Sequence, residues 1–278
     1  MRGRSLRVAR ALLITPLLLL AVASPYTADA QTPDASSSQT PSQPPAQGQW
    51  LSITEVSVKP EMVLEFQNFI KNETNPGLRK GGAKWRDVWQ TTAVAGNPFE
   101  YFIVAPIENF AQFDGMGALE KGLGKEGYAA WQAKASRYVN SVKRYVLRTR
   151  PDLSYETKMT GPPKLAVVTT VRVAPGRVED FENFTKNEYL PVVRQSRAAA
   201  YYVGQVIFGE DVNEFVTLLL RDNFADIDKG PITVQVLGAE GARKLTQKLA
   251  PGAVVHLARS FIRYVPELSI MPAEMPSK

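Results

Sequence analysis

The chain has 278 residues, of which 44% are hydrophobic and 22% charged, a composition typical of one or two globular domains. It contains no cysteine, which excludes disulfide bridges, cysteine-ligated zinc, iron–sulfur clusters and a thiol nucleophile. Its single histidine, His256, excludes any site that needs two histidines from one chain.

Residues 1–30 have the pattern of a cleavable signal peptide. Four arginines precede an apolar run, and Ala28-Asp29-Ala30 provides a small-x-small cleavage site. The run is shorter than the roughly 20 residues that a bilayer-spanning helix needs. We therefore expect a periplasmic or secreted protein with no stable membrane insertion after cleavage. Loss of the four arginines and one aspartate lowers the formal net charge from +6 to +3, and so small a charge predicts no nucleic-acid partner.

Differences in composition divide the rest of the chain into a linker, two halves and a tail. Residues 31–49 hold one charge and no large apolar side chain, so we expect a disordered linker rich in Gln, Ser and Pro. The Gly-Pro-Pro sequence at 161–163 then separates a first half, residues 50–155, from a second half, residues 164–270. Residues 271–278 form a tail.

The two halves are similar to each other in sequence. Val58–Arg79 matches Val173–Arg194 at 11 of 22 positions. The pattern Leu-Gly-x-Glu-Gly at 123–127 recurs at 237–241. Several ordered matches of this kind predict a tandem duplication of a unit of about 105 residues, which is the size of a small domain.

Hydrophobic periodicity changes in the same order in each half. β-branched runs with period two predict strands, and apolar residues spaced three or four apart after a proline predict helices. The first half should contain a strand at Ser52–Val58, a helix after Pro60, strands at Lys84–Val94 and Phe99–Pro106, a second helix, and a strand from about Ser141 to Arg148. The second half should contain strands at Leu165–Val173, Ala200–Phe208, Glu214–Leu220 and Val254–Tyr264, with two helices between them.

The order βαββαβ, found twice, predicts an α+β protein of two tandem ferredoxin-like units. Each unit leaves one face of its sheet uncovered, so the two units can press these faces together and form an intramolecular α/β barrel. The chain resembles the dimeric α/β-barrel superfamily, in the branch with NIPSNAP-like and antibiotic-biosynthesis-monooxygenase-like domains. The motifs that carry the resemblance are Val58-Lys-Pro-Glu with Glu65-Phe66-x-x-Phe69, Val173-Ala-Pro-Gly-Arg with Asp180-Phe181-x-x-Phe184, and Asn109-Phe110-Ala111.

The resemblance implies a ligand pocket between helices and sheet, but it does not select one chemistry. Members of the superfamily include oxygenases without cofactors, haem enzymes and proteins of unassigned role. The haem-binding members hold iron through a histidine, and His256 is the only candidate here. A lone histidine in a strand is more often structural, so we expect neither a cofactor nor a metal.

Glu73 and Glu188 occupy equivalent positions on the first helix of each half. On an α-helical wheel Glu73 lies about 20° from Phe66, in the middle of the apolar stripe, and Glu188 has the same relation to Phe181. A carboxylate there points to the sheet and must be paired, neutral or exposed to a pocket. Both residues are candidates for ligand contact, with a structural ion pair to Arg79 or Arg194 as the simpler alternative.

Strand alternation supplies the other candidate site residues. Trp85, Asp87 and Trp89 share one face of their strand, and the second half has no tryptophan to match them. By analogy with cofactor-independent oxygenases of the superfamily, Trp85, Trp89, Arg86 and Asn68 are candidate ligand-binding residues. The simpler alternative is that the aromatic side chains belong to the core.

Three functions are compatible with these features. The first is binding of a small, mainly apolar or aromatic molecule between helices and sheet. The second is a cofactor-independent monooxygenase acting on an aromatic substrate, which needs an anion-stabilising Arg or Asn at the same cavity. The third is a structural or assembly module with a filled interior. The sequence assigns no catalytic residue, and an oligomer is possible.

Overall fold

The computed structural model describes residues 48–157, 161–196 and 198–271. The predicted signal peptide, nearly all of the predicted linker and residues 272–278 of the tail lie outside this description. Among the described helices, none is long and apolar enough to cross a membrane.

Nine strands and seven α-helices make up the described structure. The strands are β1 (Trp50–Val58), β2 (Asp87–Thr91), β3 (Glu100–Ile107), β4 (Val139–Thr149), β5 (Tyr155–Glu156), β6 (Leu165–Val173), β7 (Ala200–Phe208), β8 (Glu214–Arg221) and β9 (Val254–Tyr264). The helices are α1 (Val63–Phe69), α2 (Asn75–Lys80), α3 (Ala118–Tyr138), α4 (Val178–Phe184), α5 (Leu190–Gln195), α6 (Ala225–Asp228) and α7 (Ile232–Gln247).

Eight of the strands close into one antiparallel barrel. The order around the barrel is β4-β1-β3-β2-β9-β6-β8-β7, and β7 pairs back onto β4. The first half contributes β1 to β4 and the second half β6 to β9. Two seams join them: Trp89 of β2 faces Tyr264 of β9, and Leu147 of β4 faces Val206 of β7. The expected intramolecular α/β barrel is confirmed.

The order of elements is the same in both halves, and so is their packing. Phe66 of α1 lies on Tyr101 of β3, with ring centroids 5.1 Å apart, and Phe181 of α4 lies on Phe215 of β8 at 4.7 Å. All four side chains are buried. Each pair fixes the helices of its half to the outer face of the sheet. That the halves arose by gene duplication stays a prediction of the sequence.

The repeated Leu-Gly-x-Glu-Gly motif has a structural reason. Gly124 in α3 has φ 75° and Gly238 in α7 has φ 70°, so each second helix is interrupted at the same point. Side chains other than glycine rarely adopt this backbone conformation. The glycines let the helix change direction where it passes over the sheet.

Alternation along the strands separates an outer apolar layer from an inner one. The outer layer lies beneath the helices and contains the Phe66 and Phe181 clusters. The inner layer lines the barrel and includes Ile53, Leu147 and Val216, from strands of both halves. The inner layer is the one that positions the candidate site.

Candidate functional site

A cavity of about 600 Å³ occupies one end of the barrel lumen. Strands of both halves line it, and the connection between the halves borders it at Pro151, Tyr155 and Glu156. This volume is within the range of small-molecule sites. This cavity lies on the opposite side of the sheet from the expected position between helices and sheet, and a ligand pocket at that position stays a prediction. The apolar lining of the cavity includes Leu51, Ile53, Val104, Leu147, Val216, Leu218 and Leu220.

The alternation of Trp85, Asp87 and Trp89 places all three side chains in this cavity. Trp89 is 5% exposed and meets the edge of the Tyr264 ring, with centroids 5.2 Å apart. Trp85 is less buried than Trp89. The sequence therefore placed both tryptophans on the right face of the strand, and the structure brings them to a cavity built by both halves.

Asp87 is a carboxylate within the largely apolar lining. Its Oδ1 accepts a hydrogen bond from the Tyr264 hydroxyl at 3.2 Å. Among the described residues, no lysine or arginine forms an ion pair with it. Burial raises the pKa of Asp87, and the Tyr264 hydrogen bond lowers it by a smaller amount. Asp87 is therefore able to accept a proton or a hydrogen bond from a bound molecule.

Tyr202 and Glu156 supply the other polar groups on this side. Tyr202 of β7 is partly buried, and Glu156 of β5 is exposed. Burial raises the pKa of the Tyr202 hydroxyl, and the nearby carboxylates of Glu156 and Asp87 raise it further. The hydroxyl therefore stays protonated at neutral pH and can donate a hydrogen bond.

Arg86 and Asn68 do not reach the cavity. Arg86 follows Trp85 in the extended segment before β2, so its side chain lies on the opposite face, where it is 6% exposed. There its Nη1 donates to Asn75 Oδ1 at 2.8 Å, and burial lowers its pKa to about 10. Asn68 is exposed on α1. Neither residue can stabilise an anion in the lumen.

Glu73 and Glu188 do not point towards the sheet, in contrast to the expectation. Each lies in a π-helical turn, at Ile70–Thr74 and at Thr185–Tyr189. A π-helix has more residues per turn than an α-helix, so a wheel drawn at 100° per residue misplaces the side chains that follow.

The two glutamates instead form equivalent ion pairs near the surface. Glu73 pairs with Lys134 of α3, and Glu188 pairs with Lys248, just beyond α7, at 2.5 Å. These lysines occupy matching positions in the two halves. The simpler alternative, a structural ion pair, therefore describes both glutamates, but with lysine partners and not with Arg79 or Arg194. Glu188 also borders a shallow surface pocket beside α4.

We expect Glu73→Gln and Glu188→Gln each to lower the melting temperature by less than about 3 °C, because ion pairs between solvent-exposed groups stabilise little. The double variant should show the sum of the two small effects. Thermal unfolding followed by circular dichroism measures this. A collapse of the fold in either single variant would contradict the surface position of these pairs.

His256 lies exposed on β9. Among the described residues, no group of three His, Asp or Glu side chains is arranged to hold a metal ion.

Sequence reasoning underrated three residues of this site. The sequence predicts the correct face for Asp87 but does not distinguish it as a site residue, and it predicts only strand positions for Tyr202 and Tyr264. The predicted barrel was the feature of the sequence analysis that could have identified these residues. If two sheets close face to face, the alternate residues of every strand that point away from the helices meet in one lumen.

Solved structures similar to this chain share the barrel. An anthrone oxidase-like protein matches with a TM-score of 0.54 and 10% identity over 82% of this chain and 95% of its own. A proposed monooxygenase from Lactobacillus acidophilus matches with a TM-score of 0.52 and 12% identity, covering 80% and 98%. A chlorite dismutase variant from Candidatus Nitrospira defluvii matches with a TM-score of 0.52 and 8% identity, covering 80% and 93%.

These similarities establish the fold. The chain has the fold of the dimeric α/β-barrel superfamily, with both halves of the barrel in one polypeptide. No protein-family model and no curated protein matches the sequence. The NIPSNAP-like branch therefore stays a prediction.

Replacing Asp87 with asparagine should increase the stability of the protein at pH 7 by roughly 0.5–2 kcal/mol, the range that single stabilising substitutions commonly give, because it removes a partly buried carboxylate. The pKa of Asp87 is raised in the folded state, so its ionised form opposes folding above that pKa. The cost decreases as the pH falls through the folded-state pKa and vanishes below the unfolded-state pKa. Urea unfolding of both proteins at several pH values measures the gain, and a gain that grows on acidification would contradict this account.

Proposed function

We propose that the protein binds a small, mainly apolar or aromatic molecule in the lumen of the barrel. The observation that carries the proposal is the cavity of about 600 Å³, with aliphatic walls, two tryptophans and few polar groups. Enclosed apolar cavities with a small number of placed polar groups are typical of small-molecule sites. A structural module would have a filled interior, which this barrel does not have.

A fluorescence titration with N-phenyl-1-naphthylamine tests the proposal. This neutral aromatic probe emits strongly when it leaves water for an apolar cavity. We expect saturable binding with one probe per chain. Emission that rises without saturation, or does not rise, would contradict the proposal. Native mass spectrometry of protein from its own host would then show which molecule it retains.

A second candidate function is oxidation of an aromatic substrate by molecular oxygen. The position of Asp87 favours it, because a carboxylate in an apolar cavity can act as a general base. The anthrone oxidase-like neighbour suggests anthrone as a trial substrate. Loss of a proton to Asp87 followed by reaction with oxygen would yield anthraquinone and water. Among the described residues that line the cavity, none is an arginine, lysine or asparagine that could stabilise the anion, so we rank binding first.

Oxygen uptake with anthrone distinguishes the two functions. Turnover of anthrone by the wild-type protein that is lost in the Asp87→Asn variant would favour the oxygenase. If anthrone binds but its oxidation stays at the uncatalysed rate, the binding function would be favoured.

We further propose that the protein works outside the cytoplasm after cleavage between Ala30 and Gln31. The arginine-led apolar segment and its small-residue site support this. Sequencing of the amino terminus of protein isolated from its host tests it, with Gln31 as the expected first residue and Met1 as the contradicting one.

A further inference from the structure

The charged groups of the lumen have one sign. Asp87 and Glu156 are acidic, and no lysine, arginine or histidine of the described residues lines the cavity. Asp87 is the deeper of the two, with Glu156 exposed at the border. Among the described residues, the ionisable side chains at this end of the barrel, apart from the tyrosines, are therefore carboxyl groups, with no basic group beside them.

A ligand can supply the partner that Asp87 lacks. The Tyr264 hydroxyl occupies Oδ1, and among the described residues no side chain donates a hydrogen bond to Oδ2. A partly buried carboxylate without a cationic partner costs free energy, and a bound ammonium group would reduce that cost. Hydrogen bonds between two ionised groups are also about twice as strong as neutral ones. An anionic ligand would instead meet repulsion from both carboxylates.

The aromatic side chains that line the cavity also favour a cationic ligand. Trp85, just before β2, and Trp89 within it flank Asp87, and Tyr202 lies on the β7 wall. The faces of tryptophan and tyrosine rings attract cations, most strongly where water is excluded. Aromatic walls around a carboxylate thus favour an ammonium group attached to an apolar body.

We propose that the lumen selects organic cations, namely aromatic or apolar molecules that carry a protonated amine or a quaternary ammonium group, with the charged nitrogen against Asp87. This inference rests on the proposed binding function, since it assigns a ligand class to the same cavity. Glu156 sits at the border of the cavity, where it attracts the cation before it enters.

Three naphthyl probes with the same aromatic ring and two-carbon spacer but different charge test the inference. They are 2-(1-naphthyl)ethylamine, 2-(1-naphthyl)ethanol and 3-(1-naphthyl)propionate, each titrated by calorimetry at pH 7. We expect the amine to bind at least about 10-fold more tightly than the alcohol, because a charge-assisted hydrogen bond contributes at least about 1.5 kcal/mol. The propionate should bind most weakly.

Asp87→Asn is the decisive variant, because asparagine keeps the shape and removes the charge. We expect it to weaken amine binding by about 10-fold and to change alcohol binding by less than about 2-fold. Glu65→Gln is the matched control, because it removes one negative charge from an exposed position on α1. It should leave all three affinities unchanged.

The outcomes separate this inference from the proposed function. Equal affinity for amine and alcohol, or a preference for the propionate, would overturn cation selection and leave a general apolar site. An amine preference that survives in Asp87→Asn would overturn the assigned role of Asp87. Failure of all three probes and of N-phenyl-1-naphthylamine to bind would overturn both proposals.

Discussion

Replacing Phe181 with alanine should lower the free energy of unfolding of the whole barrel by about 3–5 kcal/mol, the usual cost of removing a buried phenylalanine. Phe181 is 6% exposed and packs on Phe215, which is fully buried. Phe66→Ala in the first half should cost about as much, because Phe66 packs on Tyr101 in the same way. Both variants should unfold in one transition, since the two seams tie the halves into one closed sheet.

The positions of the tryptophans allow the prediction of a single unfolding transition to be tested. All four of them, Trp50, Trp85, Trp89 and Trp131, lie in the first half. Trp89 and Trp50 contact Tyr264 and Phe208 of the second half, whereas Trp131 packs on Phe69 within the first half. In a background that keeps only Trp131, fluorescence therefore reports on the first half, and far-ultraviolet circular dichroism reports on both. Phe181→Ala, although in the second half, should shift the urea midpoint of both signals equally. A fluorescence midpoint that stays at the wild-type value would show that the halves unfold separately.

The second large effect concerns the lumen. Val104→Trp together with Leu218→Trp should weaken binding of N-phenyl-1-naphthylamine by at least about 30-fold. The two residues line the cavity from different halves, and the added indole rings would fill the space that the probe needs. The extra volume should lower stability by about 1–3 kcal/mol, which leaves the protein folded.

A matched pair of substitutions on the outside controls for the chemistry of the added rings. Leu64 and Val255 are 71% and 59% exposed. Leu64→Trp with Val255→Trp should leave probe binding within about 2-fold of wild type. If the variant with Val104→Trp and Leu218→Trp is folded by circular dichroism and still binds the probe with wild-type affinity, the probe binds outside the lumen.

The strands were the most predictable part of the fold. The bounds of β6, β7 and β9 agree with the sequence prediction, because β-branched runs and flanking turn residues mark strands locally. The strand predicted at Lys84–Val94 is shorter, Asp87–Thr91, because its pairing with β3 and β9 covers only these residues. The β9 partners of β2 extend only from Ile262 to Tyr264. That limit depends on residues far away in sequence.

The site was less predictable, for two physical reasons. The orientation of Glu73 and Glu188 depends on a π-turn, and a helical wheel assumes an α-helix throughout. The lumen depends on contacts between halves: Tyr264 reaches Asp87 across 177 positions of sequence. Local patterns show which residues share a face of a strand, but not which side of the sheet stays open.

The central claim is that ligands enter the barrel lumen and not the space between helices and sheet. A crystal of the protein with 2-(4-bromo-1-naphthyl)ethanol, measured at the bromine absorption edge, tests it most directly. We expect one anomalous bromine peak inside the barrel, between Trp89 and Leu218. A bromine peak beneath the helices, beside Glu73 or Glu188, with the lumen empty, would contradict it.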